Sequence, residues 1–230
     1  MKIQFFSPDE KWPANFVAPV QTHSANICEI KTGAENLQNC DGIFTAKKDL
    51  ILAIRTADCA AVCFCDRRKI GIAHAGWRGA AAGILEKMAT EFRNPEIFVA
   101  PFLPRFEIQK DFCFEILREK FGDDFFEFEN SRDLNLRNLE FQNCKNSKSE
   151  NLKIENCGVR NLEFESCENL NSKKSEKIFF NFRGALDSIL RNFGTVKFDG
   201  RSTFETLNFA SHRRDGNLAR NLTAISRMNF

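Results

Sequence analysis

The chain has 230 residues, 43% of them hydrophobic and 28% charged, with a formal net charge of +2. That length allows one large domain or two small ones, and a charge so close to zero gives no electrostatic case for nucleic acid or an anionic membrane as partner. Tyrosine is absent against 25 phenylalanines, so acid–base chemistry falls to His, Cys, Asp, Glu or Lys, and the Phe surplus reads as core filling.

Nine cysteines at irregular spacing, and an amino terminus (MKIQFFSPDEKW) that meets charge before any signal-type apolar stretch, point to a reduced, cytoplasmic protein. No apolar run approaches the ~18 residues that a spanning helix needs. Cys63 and Cys65 alternate around Phe64 and read as small buried hydrophobes rather than a metal or redox pair.

Residues 1–20, punctuated by Pro8, Pro13 and Pro19, suggest an edge strand and a loop. Strands are expected over Asn26–Lys31, after the turn at Cys40-Asp41-Gly42, and over Leu50–Arg55 and Ala60–Cys65. Asp66–Lys69 is a charged hairpin turn, and Ile70–Ala73 is the returning strand. After Gly79, AAAGILEKMATEF has helical periodicity and good helix formers. Ile97–Ala100 is a strand ended by Pro101, and Asp111–Phe121 is a helix capped by Asp111 or a residue near it.

Residues 130–175 have a different texture, rich in Asn, Glu, Lys and Ser. A loose five-residue repeat runs through Asn138–Cys144, Asn151–Cys157 and Asn161–Cys167, with fewer coils than a stacked solenoid needs, so the tract reads as a variable insertion, or alternatively as a small β-coil leaning on the main domain. Beyond it, Lys177–Phe182 is a strand, Gly184–Phe193 a helix, Thr195–Phe198 a strand, Phe209–Gly216 a dense polar loop and Leu218–Arg227 a closing strand. Irregular alternation of strands and helices gives an α+β class.

The chemistry concentrates between Asp49 and Gly79, where Thr56-Ala57-Asp58-Cys59 and His74-Ala75-Gly76-Trp77-Arg78-Gly79 edge neighbouring strands. Only three histidines exist, and a second, His23, lies in Gln21-Thr22-His23-Ser24. Cys59 with His23 and His74 fits the three protein ligands of a catalytic zinc site, which leaves a fourth position for water. Spacing alone leaves open a buried Cys with two core histidines, a Cys59 nucleophile activated by His74, and copper. Asp58, beside Cys59, is a candidate base or a residue that orients a nucleophile. Trp77 and Arg78 open a helix whose amides and guanidinium suit an anion, and Arg213 and Arg214 form a second cationic pair.

Taken in order, Gln21–Ser24, Cys40–Thr45, Thr56–Cys59, His74–Gly79 and Ser211–Gly216 resemble the laccase-domain, or YfiH-like, family from about residue 15 to the carboxyl terminus, the Asn-rich tract excepted. The resemblance implies a single layered α/β domain over residues 1–230, with mixed sheets, flanking helices and the insertion at about 130–175. It implies zinc, or alternatively copper, on His23, Cys59 and His74. The implied activity is purine nucleoside phosphorolysis with adenosine deamination. The alternatives are a copper polyphenol oxidase, or a Cys59–His74 hydrolase linked to peptidoglycan editing. Catalytic roles then fall to Asp58, Cys59 and Arg78, and substrate or phosphate binding to Gln21, Trp77, Arg78, Arg213 and Arg214. The partners are a nucleoside and phosphate, with no nucleic acid or membrane, in a chain expected to be monomeric. Three departures from the family pattern stand out: Ala60-Ala61 where Pro is common after the Cys, Asn217–Arg220 in place of a Gly-Arg, and no cysteine between Gly200 and Phe209.

Overall fold

The computed structural model describes residues 1–129 and 177–227. The reading of the Asn-rich tract as an insertion falls outside those residues. Contacts divide the chain into two units, of which Met1–Glu127 with Ile178–Phe230 is the one described below.

The centre of the unit is a six-stranded mixed sheet. Its strands are β2 (Ile27–Glu29), β3 (Gly42–Thr45), β5 (Ala60–Cys65), β6 (Ile70–Ala75), β7 (Glu96–Val99) and β11 (Thr195–Phe198), in the order β11-β7-β5-β6-β3-β2. The two edge pairs, β2–β3 and β7–β11, are parallel and the inner pairs antiparallel. Side chains alternate along a strand, so both faces of β5 and β6 are apolar. Ala60, Val62, Phe64, Ala73 and Ala75 face one core, which includes residues of the helices, while Ala61, Cys63, Ile70 and Ile72 face the other. That double burial is why both strands read as continuous apolar runs.

A second sheet covers the latter face: β1 (Lys2–Phe6), β12 (Asn221–Ser226) and β4 (Ile51–Thr56), all antiparallel, with β12 in the middle. Leu52, Ile54 and Ile225 join Ile43, Ile70 and Ile72 between the sheets. On the opposite face lie α1 (Trp77–Ala81), α2 (Ile84–Thr90), α3 (Phe112–Phe121) and α4 (Phe182–Leu190). They share a core thick with Phe64, Phe92, Phe102, Phe114, Phe126, Phe180 and Phe182. The Phe surplus is therefore core filling. A third sheet orders as β8 (Phe106–Ile108), β10 (Lys177–Phe180) and β9 (Phe126–Glu129). The class is α+β, as expected.

Local differences from the sequence reading have physical causes. The helix expected after Gly79 is two helices, because Gly83 sits left-handed at φ +83 between Ala81 and Ile84 and breaks the hydrogen-bond ladder where Gly alone has no steric penalty. Asn181 ends β10 two residues early and caps α4, its side chain accepting from Gly184 N. Within the polar loop, Ser211 caps a single turn, α5 (His212–Asp215). β12 starts at Asn221 rather than Leu218, and β8 and β9 were not foreseen. Neither Cys63 nor Cys65 is in a disulfide; Cys63 is buried as expected, whereas Cys65, at the end of β5, is only half-buried. No described helix is long and apolar enough to cross a membrane.

Candidate metal centre

Strand register builds the site. β5 and β6 pair with Ala60 opposite Ala75 and Ala61 opposite His74. Cys59, just before β5, and Gly76, just after β6, therefore meet at the open end of the hairpin. β3 pairs with β6 so that Gly42 faces Ala73, which sets Asp41 beside His74, whose N–H donates to the Asp41 carbonyl at 2.7 Å. β2 runs parallel to β3, and Asp41 N bonds Asn26 O. The 22–24 loop thus reaches the same end.

Asp41 ties these pieces together. It is fully buried. Its Oδ1 lies 2.7 Å from His74 Nδ1 and accepts from His23 N at 3.0 Å. Its Oδ2 accepts from Thr22 N at 3.1 Å, Ser24 N at 2.7 Å and Ser24 Oγ at 2.8 Å. Three consecutive amides closing on one carboxylate hold His23 at φ +62, a conformation that costs a non-glycine residue ~1–2 kcal/mol. By occupying Nδ1, Asp41 also leaves Nε2 as the free nitrogen of His74, the carboxylate–histidine arrangement that orients metal ligands. Nothing in the sequence reading gave Asp41 a role.

Cys59 Sγ lies 3.8 Å from His23 Nε2, and the ligand atoms of His23, Cys59 and His74 all fall within 4.8 Å of one another. Ligands bound at ~2.0–2.3 Å to one tetrahedral ion stand roughly 3.4–3.6 Å apart, so modest adjustment closes the set. Gly76 makes the room: a Cβ there would sit 2.9 Å from Cys59 Sγ and 3.0 Å from His23 Cδ2. Burial pushes the Cys59 thiol up, but the hydrogen bonds and charge of His23 and His74 outweigh it and bring the thiol to about 6. Burial likewise pulls His74 down, while Asp41 and the Cys59 thiolate raise it to about 9. Without metal the pair is a Cys59 thiolate beside a His74 imidazolium, and an ion that displaces the imidazolium proton meets thiolate and imidazole, the donor chemistry of a borderline-soft divalent ion.

These residues line a pocket of about 650 Å³. Gln21, Asp58, Trp77, Arg78 and Arg213 also line it, as do Arg55, Arg220 and His212, to which the sequence reading gave no role. Gln21 turns its amide to the backbone of β4, donating to Arg55 O at 2.8 Å and accepting from Arg55 N at 3.0 Å. It shapes the wall. Arg78 lies 4.3 Å over the Trp77 ring. Asp58, in a bend and left-handed at φ +84, accepts from Thr203 Oγ1 at 2.9 Å and Arg213 N at 2.8 Å. Both oxygens thus latch the Cys59 loop to the carboxyl-terminal loops.

Arg214, expected beside phosphate, is not part of the pocket lining. Its guanidinium donates to the carbonyls of Thr203, Phe204, Thr206 and Phe209 and pairs with Asp215 at 2.6 Å. It fastens the 203–209 loop. Arg214→Ala is expected to lower the thermal midpoint by several degrees while any metal bound per chain, measured by atomic absorption, stays unchanged. A loss of metal would move Arg214 into the site.

Residues 8–183 match the family model described as multi-copper polyphenol oxidoreductase laccase. A purine nucleoside phosphorylase of Haemophilus influenzae is 33% identical over 87 residues, 36% of this chain and 35% of that one. Purine nucleoside phosphorylase YfiH of Escherichia coli is 34% identical over 83 residues, 35% and 34% of the two chains. The aligned stretch therefore spans about a third of these relatives. The structure of the hypothetical protein YfiH of Bacillus licheniformis superposes with a TM-score of 0.63 at 22% identity, over 92% of this chain and 73% of that one. YlmD from Geobacillus stearothermophilus gives 0.63 at 20%, over 93% and 74%. The fold is shared with both.

Proposed function

Because the chain belongs to the multi-copper polyphenol oxidoreductase laccase family, we propose a specific role for its pocket: that of a zinc-dependent purine nucleoside phosphorylase with adenosine deaminase activity. The observation that carries this reading is the meeting of His23, Cys59 and His74 within 4.8 Å in a pocket that Arg55, Arg78, Arg213 and Arg220 also line. The residues fit the ion: a preformed thiolate, a histidine with its tautomer set by Asp41, and a glycine that clears the space. His23, Cys59 and His74 would hold zinc, which when bound supplies Lewis-acid polarisation.

The rest of the chemistry belongs to side chains. Trp77, Leu103, Phe106 and Phe182 give the pocket apolar walls suited to a purine. Arg78 and Arg213 hold phosphate, aided by Arg55 and Arg220. None of these arginines has a carboxylate partner among the described ion pairs, so their charge is available to an anion. Phosphate so held is positioned to attack the ribose C1′ as the glycosidic bond breaks. The names of the relatives from H. influenzae and E. coli support the same activity.

A copper oxidase is the reading that the family description favours. Against it, three histidines in the whole chain cannot supply a three-copper cluster and a further copper site. A cysteine hydrolase reading draws on the closeness of Cys59 and His74.

One set of assays separates the three. Purified protein is expected to carry zinc, to release base and ribose 1-phosphate from inosine or adenosine only with phosphate, and to lose both metal and turnover in Cys59→Ala. Phenol-dependent oxygen uptake by copper-loaded protein alone would favour the oxidase. Undiminished nucleoside turnover in Cys59→Ala would overturn the assignment.

A further inference from the structure

Phosphorolysis of a purine nucleoside has an unmet need in this pocket. As C1′–N9 breaks, the bonding pair passes to the purine, which leaves poorly unless a proton reaches N7. Lining side chains that can carry that proton are few: His23, Cys59, His74, Asp58 and His212. Metal binding commits the first three. Asp58 has both oxygens engaged, one by Thr203 Oγ1 and one by Arg213 N. Arginine does not give up its proton at working pH, and the chain has no tyrosine.

We propose that His212 is the general acid of this pocket, donating a proton to the departing purine, a role that rests on the phosphorylase reading. Placement supports it. His212 is the first residue of α5, and its neighbour Arg213 bonds Asp58, the residue before Cys59. Ser211 caps the same turn by accepting from Arg214 N at 3.2 Å. The backbone of the turn that carries His212 is thereby tied to the loop that carries Cys59. His212 Nδ1 lies 3.4 Å from Asn217 O. With Nδ1–H donating to that carbonyl, Nε2 is the nitrogen left to face a ligand, and the proton it passes on is the second one that the imidazolium form carries. The protons balance: hydrogen phosphate loses its proton as its oxygen bonds C1′, the imidazole regains that proton, and the base leaves neutral.

A leaving-group comparison tests this. His212→Asn keeps a donor near the Nδ1 position and removes the Nε2 proton. Its turnover of inosine is expected to fall roughly 100-fold or more, the usual contribution of general acid catalysis. Turnover of 7-methylguanosine, whose base departs neutral without a proton, is expected to stay near wild type, and zinc content to be unchanged. Equal losses on both substrates would mark a structural role, and undiminished inosine turnover an idle residue; either overturns the proposal. A wild-type protein inert on both nucleosides would instead sink the phosphorylase reading beneath it.

Discussion

Asp41→Asn is expected to disable both histidines at once. The amide has the shape of the carboxylate, but one oxygen becomes an NH₂. Oδ1 faces His23 N and His74 Nδ1, and Oδ2 faces Thr22 N, Ser24 N and Ser24 Oγ. Either orientation of the amide therefore sets N–H against N–H. Removing one partner from a buried charged pair costs ~3–5 kcal/mol, and loss of a partner to a ligating histidine weakens metal binding roughly 10–100-fold. Urea unfolding of metal-free protein and a zinc titration with a competing chelator read the two effects separately. Wild-type zinc affinity in the variant would show that Asp41 orients neither ligand.

The same residue sets an acid limb. Burial pushes the Asp41 carboxyl up, but the bonds from His74, Ser24 and Thr22 outweigh it, taking it from an ordinary 3.8 to about 2. A depressed carboxylate stabilises the fold above its unfolded value and loses that contribution as pH falls through the folded one. The window is thus about pH 4 down to pH 2, and the contribution about 2 kcal/mol. The stability gap between wild type and Asp41→Asn should narrow across that interval.

How much of this was legible beforehand depended on whether the cause is local. Ala60–Cys65 and Thr195–Phe198 match the observed strands because their apolar runs and bounding turns lie within each segment. Cys59 and His74 were readable as neighbours because one hairpin joins them. Asp41 was not, since its partners are set by the β2–β3–β6 register and lie far off in sequence. An acid between Cys40 and Gly42 at the mouth of a fully buried strand was the available signal. The adjacent Arg213 and Arg214 carried identical sequence evidence, and only the turn of α5 sends one to the pocket and the other to the 203–209 carbonyls. Arg55 is the one exposed position in a strand otherwise buried or half-buried, and a charge inside that apolar run was the available signal for it.

Gly76→Ala is expected to give a folded protein that holds zinc poorly. Gly76 has φ −77 and ψ 168, which any residue adopts, so the backbone has no reason to resist. The atoms nearest the added methyl belong to the ligands, Cys59 Sγ at 2.9 Å and His23 Cδ2 at 3.0 Å. Both are side chains, and they must move for the Cβ to fit. Their displacement spreads a set that already needs to draw inward around an ion. Zinc affinity should fall at least about tenfold, or ~1.4 kcal/mol, with the far-ultraviolet spectrum and metal-free thermal midpoint close to wild type. Iodoacetamide gives a second reading, since zinc should shield Cys59 from alkylation in the wild type and lose that effect in the variant. Gly79→Ala is the control: its methyl would meet Ser24 O at 3.1 Å, His74 O at 3.5 Å and Ile84 Cγ2 at 3.5 Å, none of them a ligand atom, so its effect should fall on folding before metal. Full zinc retention in Gly76→Ala would mean that the thiolate and His23 have slack to give, and that Gly76 does not set the geometry of the metal site.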